Sequence, residues 1–135
     1  MRRYPRERRH EHVPFALVAQ GLQLLLDGVE VGIVCDRELK ALQKITRLFP
    51  HLKTTPSFSE VLEAPEIDAV IITTPAATHW ELTKKSLEAG KHTLVEKPLA
   101  LRIEEAEELV RLSQSGGKIL MVGHTFLYNP AIRKM

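Results

Sequence analysis

Residues Ile67 to Thr73 read Ile-Asp-Ala-Val-Ile-Ile-Thr, apolar at almost every position. A strand with one wet face alternates apolar and polar residues, whereas a near-continuous apolar run requires cover on both faces. In a short chain that cover comes from helices layered above and below a parallel sheet. The surrounding segments agree. Val29 to Cys35 reads as a strand with Val29, Val31, Ile33 and Cys35 on one face. Leu39, Leu42, Ile45 and Phe49 mark a helix ended by Pro50, and Leu52 to Thr55 a short edge strand. Ser57 and Glu60 have the spacing of a capping box opening a short helix to Glu63. After the apolar strand come a helix over Ala77 to Ala89 with Gly90 as its cap, and a strand from His92 to Val95. Arg102 to Ser115 is the next helix, with Ile103, Ala106, Leu109, Val110 and Ser113 inward, and Ile119 to Gly123 the last strand. Strands separated by single helices predict an α/β fold with a doubly wound, mostly parallel, Rossmann-like sheet.

The amino-terminal segment is different. Residues 1–12 hold five arginines against Glu7 and Glu11, a local +3, so the formal +2 of the chain leaves −1 for residues 13–135. Without an apolar period, residues 1–13 read as a disordered basic tail. Clustered arginine can neutralise phosphates, but no recognition helix or aromatic platform accompanies it, which argues against a nucleic-acid partner. A non-native start of the reading frame explains the tail more simply. Residues 14–135 form one domain, in which Phe15, Val18, Leu22, Leu25 and Leu26 recur at helical spacing after Pro14. The single cysteine, Cys35, fits a reducing cytoplasm, and no apolar run reaches membrane-spanning length. His10 and His12 lack carboxylate or thiol partners at ligand spacing, so no metal is expected.

Chemistry concentrates where strands end. Asp36 follows the strand Val29–Cys35, where an acid in a dinucleotide fold receives the ribose hydroxyls; Arg37 beside it keeps a 2′-phosphate, hence NADP, in view. The plainer reading is that Asp36 caps the helix behind it. Thr73-Thr74-Pro75 leaves the apolar strand, with Thr74 and Thr78 as candidate caps and His79 close behind. Glu96-Lys97-Pro98 turns an apolar strand into a charged corner, and Tyr128-Asn129-Pro130 follows the last strand. In open α/β sheets that edge is where ligands bind.

Ala89-Gly90-Lys91-His92-Thr93-Leu94-Val95-Glu96-Lys97-Pro98-Leu99-Ala100, with Thr74-Pro75 and His79 before it, resembles the Gfo/Idh/MocA family of NAD(P)-dependent sugar and polyol dehydrogenases. The stretch Gly123-His124-Thr125-Phe126-Leu127-Tyr128-Asn129-Pro130 is similar to the branch that oxidises the 3-hydroxyl of UDP-N-acetylglucosamine-type sugars. The resemblance implies NAD or NADP as cofactor, contacted by Asp36, Arg37, Thr74, Pro75, His79, Glu96 and Lys97. It implies Lys97 as catalytic residue and substrate contact, Tyr128 and Asn129 as further substrate contacts, a cis bond before Pro98, and a homo-oligomeric parent. A partly buried Lys97 would be tuned for proton transfer, with Glu96 orienting it or the cofactor amide.

Two parts of the pattern are missing from the sequence. Ala19-Gln20-Gly21-Leu22-Gln23-Leu24 offers one glycine where G-x-G-x-x-G is needed, and arginine-rich residues 1–13 cannot form a strand buried on both faces. A domain incomplete at its amino terminus is therefore expected, unless Phe15 to Ala19 supplies a replacement strand and Gln20-Gly21 its turn. The chain also stops at Met135, where the family continues into a substrate domain carrying an aspartate and a histidine. Weak cofactor binding and no turnover by this chain alone follow. The competing class is a non-catalytic nucleotide-binding or partner-binding module.

Overall fold

The computed structural model describes residues 13–18 and 29–124. Its described elements run β1 (Val13–Val18), β2 (Val29–Cys35), α1 (Leu39–Leu48), β3 (Lys53–Thr55), α2 (Phe58–Glu63), β4 (Ala69–Ile72), a 3-10 turn (Ala76–Thr78), α3 (His79–Glu88), β5 (His92–Glu96), α4 (Ile103–Gly116) and β6 (Leu120–Gly123). The strands form one sheet in the order β3-β2-β1-β4-β5-β6, every pairing parallel. The doubly wound fold expected from the alternation is present.

The expectation of a missing first strand is overturned. Val13–Val18 lies between β2 and β4, at the middle of the sheet, where the spacing of Phe15 and Val18 predicts a helix. Val-Pro-Phe-Ala-Leu-Val is a short, continuous apolar run, and such a run fits a buried strand as well as a helix. The tail boundary moves accordingly, since Val13 belongs to the sheet. Pro14, which cannot donate a ladder hydrogen bond, is accommodated at the strand's start. It pairs with Glu30 on β2, whereas pairing with β4 begins only at Phe15. Residues 19–28, which carry the rest of the expected helix and the single-glycine segment, lie outside the described residues.

The β1–β2 register shifts between Phe15 and Ala16, which oppose Val31 and Ile33 and leave Gly32 as an extra residue. A bulge of this kind inverts the alternation of faces. Ile33 and Cys35 therefore pack with Val70, Ile72, Val95 and Val61, but Val31 joins Val34, Ile71 and Leu94 on the other side. The single face expected for Val29, Val31, Ile33 and Cys35 does not hold. Helix α2 covers the first face through Val61, and Leu82 of α3 packs on the same cluster; Ile45 of α1 lies on the second.

Helix ends also differ in detail. Ser57 occupies the N-cap of α2 without a side-chain capping bond; its amide instead donates to Thr55 Oγ1 at 3.1 Å, so the capping box is not formed. Gly117 (φ 62°) ends α4 in the left-handed region, and Gly90 (φ 73°) follows α3 in the same way. On α4, Leu109 and Ser113 are buried as expected, but Ile103 is 74% exposed and Val110 42%. The apolar period continues around the helix past the neighbour that covers it.

Candidate functional site

Because the strands are parallel, their carboxyl ends share one edge, and the ladder shows how closely. Thr55, Cys35, Val18, Ile72, Val95 and Val122 pair strand to strand as one continuous row. Asp36 and Glu96 each follow that row by one residue, Thr74 and Lys97 by two. At a strand spacing of about 4.8 Å, the three steps from β2 to β5 span about 14 Å. An acid thus stands at one end, a Thr-Pro turn in the middle, and a Glu-Lys corner at the other end.

The half-buried Asp36 begins the turn into α1. Its Oδ1 accepts a hydrogen bond from the Glu38 amide at 2.8 Å, a short Asx turn ahead of a helix whose N-cap is Glu38. Asp36 is therefore not the cap of the helix, whose N-cap is Glu38; one of its oxygens shapes the turn before it, and among the described residues Oδ2 takes no partner. Arg37 is exposed. Directly beneath, Cys35 is buried, and desolvation pushes its thiol up to about 11, with the Asp36 and Glu60 charges adding to the shift. It is an unreactive core residue.

After β4, the Thr78 hydroxyl lies 2.7 Å from Thr74 Oγ1 and 2.8 Å from the Pro75 carbonyl. Thr78 stands at the N-cap of α3 but makes no side-chain cap there. His79 is only 1% exposed, with Nδ1 2.6 Å from the Pro98 carbonyl and Nε2 2.7 Å from the Thr74 carbonyl. Both ring nitrogens are occupied by backbone. Neither ring nitrogen of His79 is left for the direct cofactor contact that the resemblance implies.

At the far end, Lys97–Pro98 is a cis bond. The Glu96 carboxylate is half-buried and receives the Lys97 amide at 3.3 Å, but Lys97 itself is exposed, and among the described residues its ammonium makes no ion pair. The partial burial expected of Lys97, and an ion pair through which Glu96 would orient it, are absent from this arrangement. Gly123, not among the site residues expected from the sequence, pairs with Glu96. A Cβ there would lie 3.1 Å from Glu96 Oε1 and 3.3 Å from Oε2, so the glycine makes room for that carboxylate. Its signal in the sequence is a glycine closing a strand next to the one that carries Glu96. Tyr128 and Asn129 lie outside the described residues.

The opposite edge holds the other unexpected residue. Lys91 is buried and donates to the carbonyls of Ala64 at 2.7 Å and Ile67 at 2.8 Å. Among the described residues, no group of three His, Cys, Asp or Glu side chains could hold a metal ion, and no helix is long and apolar enough to cross a membrane.

The donor set fits a dinucleotide at its two ends. Asp36 offers a carboxylate oxygen at the ribose position, and Glu96 and Lys97 offer an acceptor and a donor three strands away. The sheet order reverses between β1 and β4, where such ligands cross the edge. The glycine cradle for the pyrophosphate is not in the sequence, since the ten residues joining β1 to β2 contain only Gly21 and Gly28.

Comparison with known proteins follows the same lines. Residues 10–124 match the model of the oxidoreductase family with an NAD-binding Rossmann fold, GFO_IDH_MocA. The chain is 35% identical over 106 residues to 4-carboxy-2-hydroxymuconate-6-semialdehyde dehydrogenase of Sphingobium, covering 78% of this chain and 34% of that protein. It is 41% identical over 68 residues to UDP-N-acetylglucosamine 3-dehydrogenase of Acidithiobacillus ferrooxidans, covering 50% and 22%. Among solved structures, the oxidoreductase yvaA of Bacillus subtilis superposes with a TM-score of 0.84 at 26% identity, over 93% of this chain and 39% of that one. KijD10, a 3-ketoreductase from Actinomadura kijaniata in complex with NADP and TDP-benzene, gives 0.80 at 26% identity, over 90% and 40%. The chain spans about a third of the first of these relatives. Sheet order and sequence agree, and the chain belongs to the Gfo/Idh/MocA family of oxidoreductases, within its NAD-binding Rossmann domain.

Proposed function

We propose that this chain is the nucleotide-binding part of an NAD(P)-dependent dehydrogenase acting on a hydroxyl of a sugar or nucleotide sugar. The observation that carries the reading is the common edge: Asp36, Thr74 and Lys97 leave three different strands within two residues of one ladder row. The nicotinamide cofactor, when bound, supplies the hydride acceptor. The chain's own residues supply position. Asp36 accepts from the adenosine ribose through the oxygen not used in its turn. An acid there favours the 2′-hydroxyl of NAD, and Arg37 is placed to tolerate a phosphate. Glu96, set against Gly123, accepts from the cofactor amide or ribose. Lys97, exposed at the corner, donates to the nicotinamide ribose and to the substrate oxygen, and takes part in moving the substrate's proton. A nucleotide-sugar substrate is favoured by the 41% identity with a UDP-N-acetylglucosamine 3-dehydrogenase. Tyr128 and Asn129 are the proposed further contacts to that substrate, and a soluble, homo-oligomeric parent in the cytoplasm is part of the same reading.

The missing glycine cradle supports the competing class, a nucleotide-binding module without turnover. Titration of the chain with NADH, following nicotinamide fluorescence, separates the readings. Saturable but weak binding that falls on replacing Asp36 with Ala supports a cofactor site. Sugar-dependent reduction of NAD after fusion to a family substrate domain supports the enzyme over the module. No saturation at millimolar NADH sinks both.

A further inference from the structure

His79 opens α3, is 1% exposed, and has each ring nitrogen on a backbone carbonyl, Pro98 O at 2.6 Å and Thr74 O at 2.7 Å. A carbonyl oxygen can only accept. A neutral imidazole has one N–H and one lone pair, so it could satisfy one of these contacts and would set a lone pair against the other. Only the imidazolium donates to both. Two short contacts agree with charge-assisted hydrogen bonds. The start of α3 is the positive end of a helix dipole, which disfavours a cation there. The two carbonyls offset this by pointing their negative ends at the ring from opposite sides.

The partners matter as much as the ring. Thr74 O belongs to the loop after β4, and Pro98 O to the loop after β5, nineteen residues from His79. The first loop carries Thr74-Pro75; the second begins with Lys97, directly after Glu96 at the end of β5. We propose that His79 is a positioning residue: as an imidazolium donating from both nitrogens, it fastens the loop after β4 to the loop after β5. It thereby fixes the spacing of the groups that face a ligand at the carboxyl edge. The consequence for the ligand rests on the nucleotide-binding reading, but the clasp itself does not. Without it the two loops move separately, and a ligand spanning both must order them on binding.

Three measurements on the full chain test this. In the ¹⁵N-histidine-labelled wild type at neutral pH, long-range proton–nitrogen correlations are expected to show both His79 nitrogens protonated; a single neutral tautomer overturns the proposal. In His79→Gln, amide exchange is expected to quicken together over residues 74–78 and 97–100 while β4 and β5 keep their protection. Thr83→Val, a change at a fully buried hydroxyl on the same helix, is expected to leave both loops as they are. Quickening in one loop only, or an equal effect from Thr83→Val, overturns the clasp. If His79→Gln does not fold, the wild-type ring pattern decides. Finally, NADH affinity is expected to fall about tenfold in His79→Gln, the size of an ordering cost near 1.4 kcal/mol; unchanged affinity overturns the ligand-positioning part. A wild type that binds no NADH counts against the nucleotide reading, while the first two measurements still judge the clasp.

Discussion

Two lysines stand at opposite ends of β5, six residues apart, and the fold treats them in opposite ways. Lys91, before the strand, is 7% exposed and holds the Ala64 and Ile67 carbonyls between α2 and β4. Lys97, after it, is exposed, with no ion pair among the described residues. One run of sequence, Gly90-Lys91-His92 through Glu96-Lys97-Pro98, therefore serves two edges. At the amino edge a cation is bound into the backbone and stabilises the packing of α2 against the sheet. At the carboxyl edge the same residue type is exposed and makes no ion pair among the described residues, as the proposed ligand contact requires. The same division holds for histidine: His92 accepts the Ile119 amide at 3.0 Å at the amino edge, while His79 bridges the Thr74 and Pro98 carbonyls at the carboxyl edge.

The sharpest break of this comparison is Lys91→Met. Methionine keeps the length and apolar stem but leaves two carbonyls without their donor, and a buried polar group stripped of its partner costs roughly 1–3 kcal/mol. A loss of about 3 kcal/mol is expected in urea unfolding. A loss under about 0.5 kcal/mol, the size of an ordinary surface change, means that Lys91 is as dispensable as a surface lysine and the contrast with Lys97 fails.

Cys35 sharpens the comparison in the interior just below the ligand edge. Its thiol is pushed up from 9.0 to about 11, chiefly by burial and then by the charges of Asp36 and Glu60. A folded value above the unfolded one means that the neutral thiol stabilises the native state fully below pH 9, and that this contribution is lost as pH rises toward 11. Wild type and Cys35→Ala are expected to keep a constant stability difference from pH 7 to about pH 9 and to converge above it, by on the order of 2 kcal/mol at pH 11. A difference that stays flat through pH 11 shows that the thiol is open to solvent, and that the floor of the site is not dry.

The strands were legible because burial on both faces leaves a plain mark; β4 and β5 fall within a residue or two of where their apolar runs place them. β1 is not legible as a strand because Pro14, Phe15 and Val18 also satisfy the rules for a helix start, and six residues are too few for periodicity to arbitrate. What identifies the strand is the slot between β2 and β4, a property of the sheet rather than of the segment. The bulge at Gly32 is invisible for the same reason, since it exists only relative to β1. Of the site, the ends of β2, β4 and β5 were readable from fold logic. The work of His79 was not, because the Pro98 carbonyl reaches it only through the tertiary fold.

Lys97→Met gives the smallest expected change in stability and completes the contrast. The side chain is exposed and outside the packed core, so the unfolding midpoint is expected to shift by less than about 0.5 kcal/mol. Over the same substitution NADH affinity is expected to fall about tenfold, the loss of one hydrogen bond from a charged donor. Lys91→Met, in contrast, is expected to alter affinity only through the fraction of chains folded, which is corrected by measuring well below the unfolding midpoint. A doubly dissociated result, stability without affinity for one lysine and affinity without stability for the other, follows only if the two edges of the sheet have separate duties. Should Lys97→Met instead unfold the chain as Lys91→Met does, the exposed ammonium has a structural partner in the folded protein, and it is not available to a sugar hydroxyl.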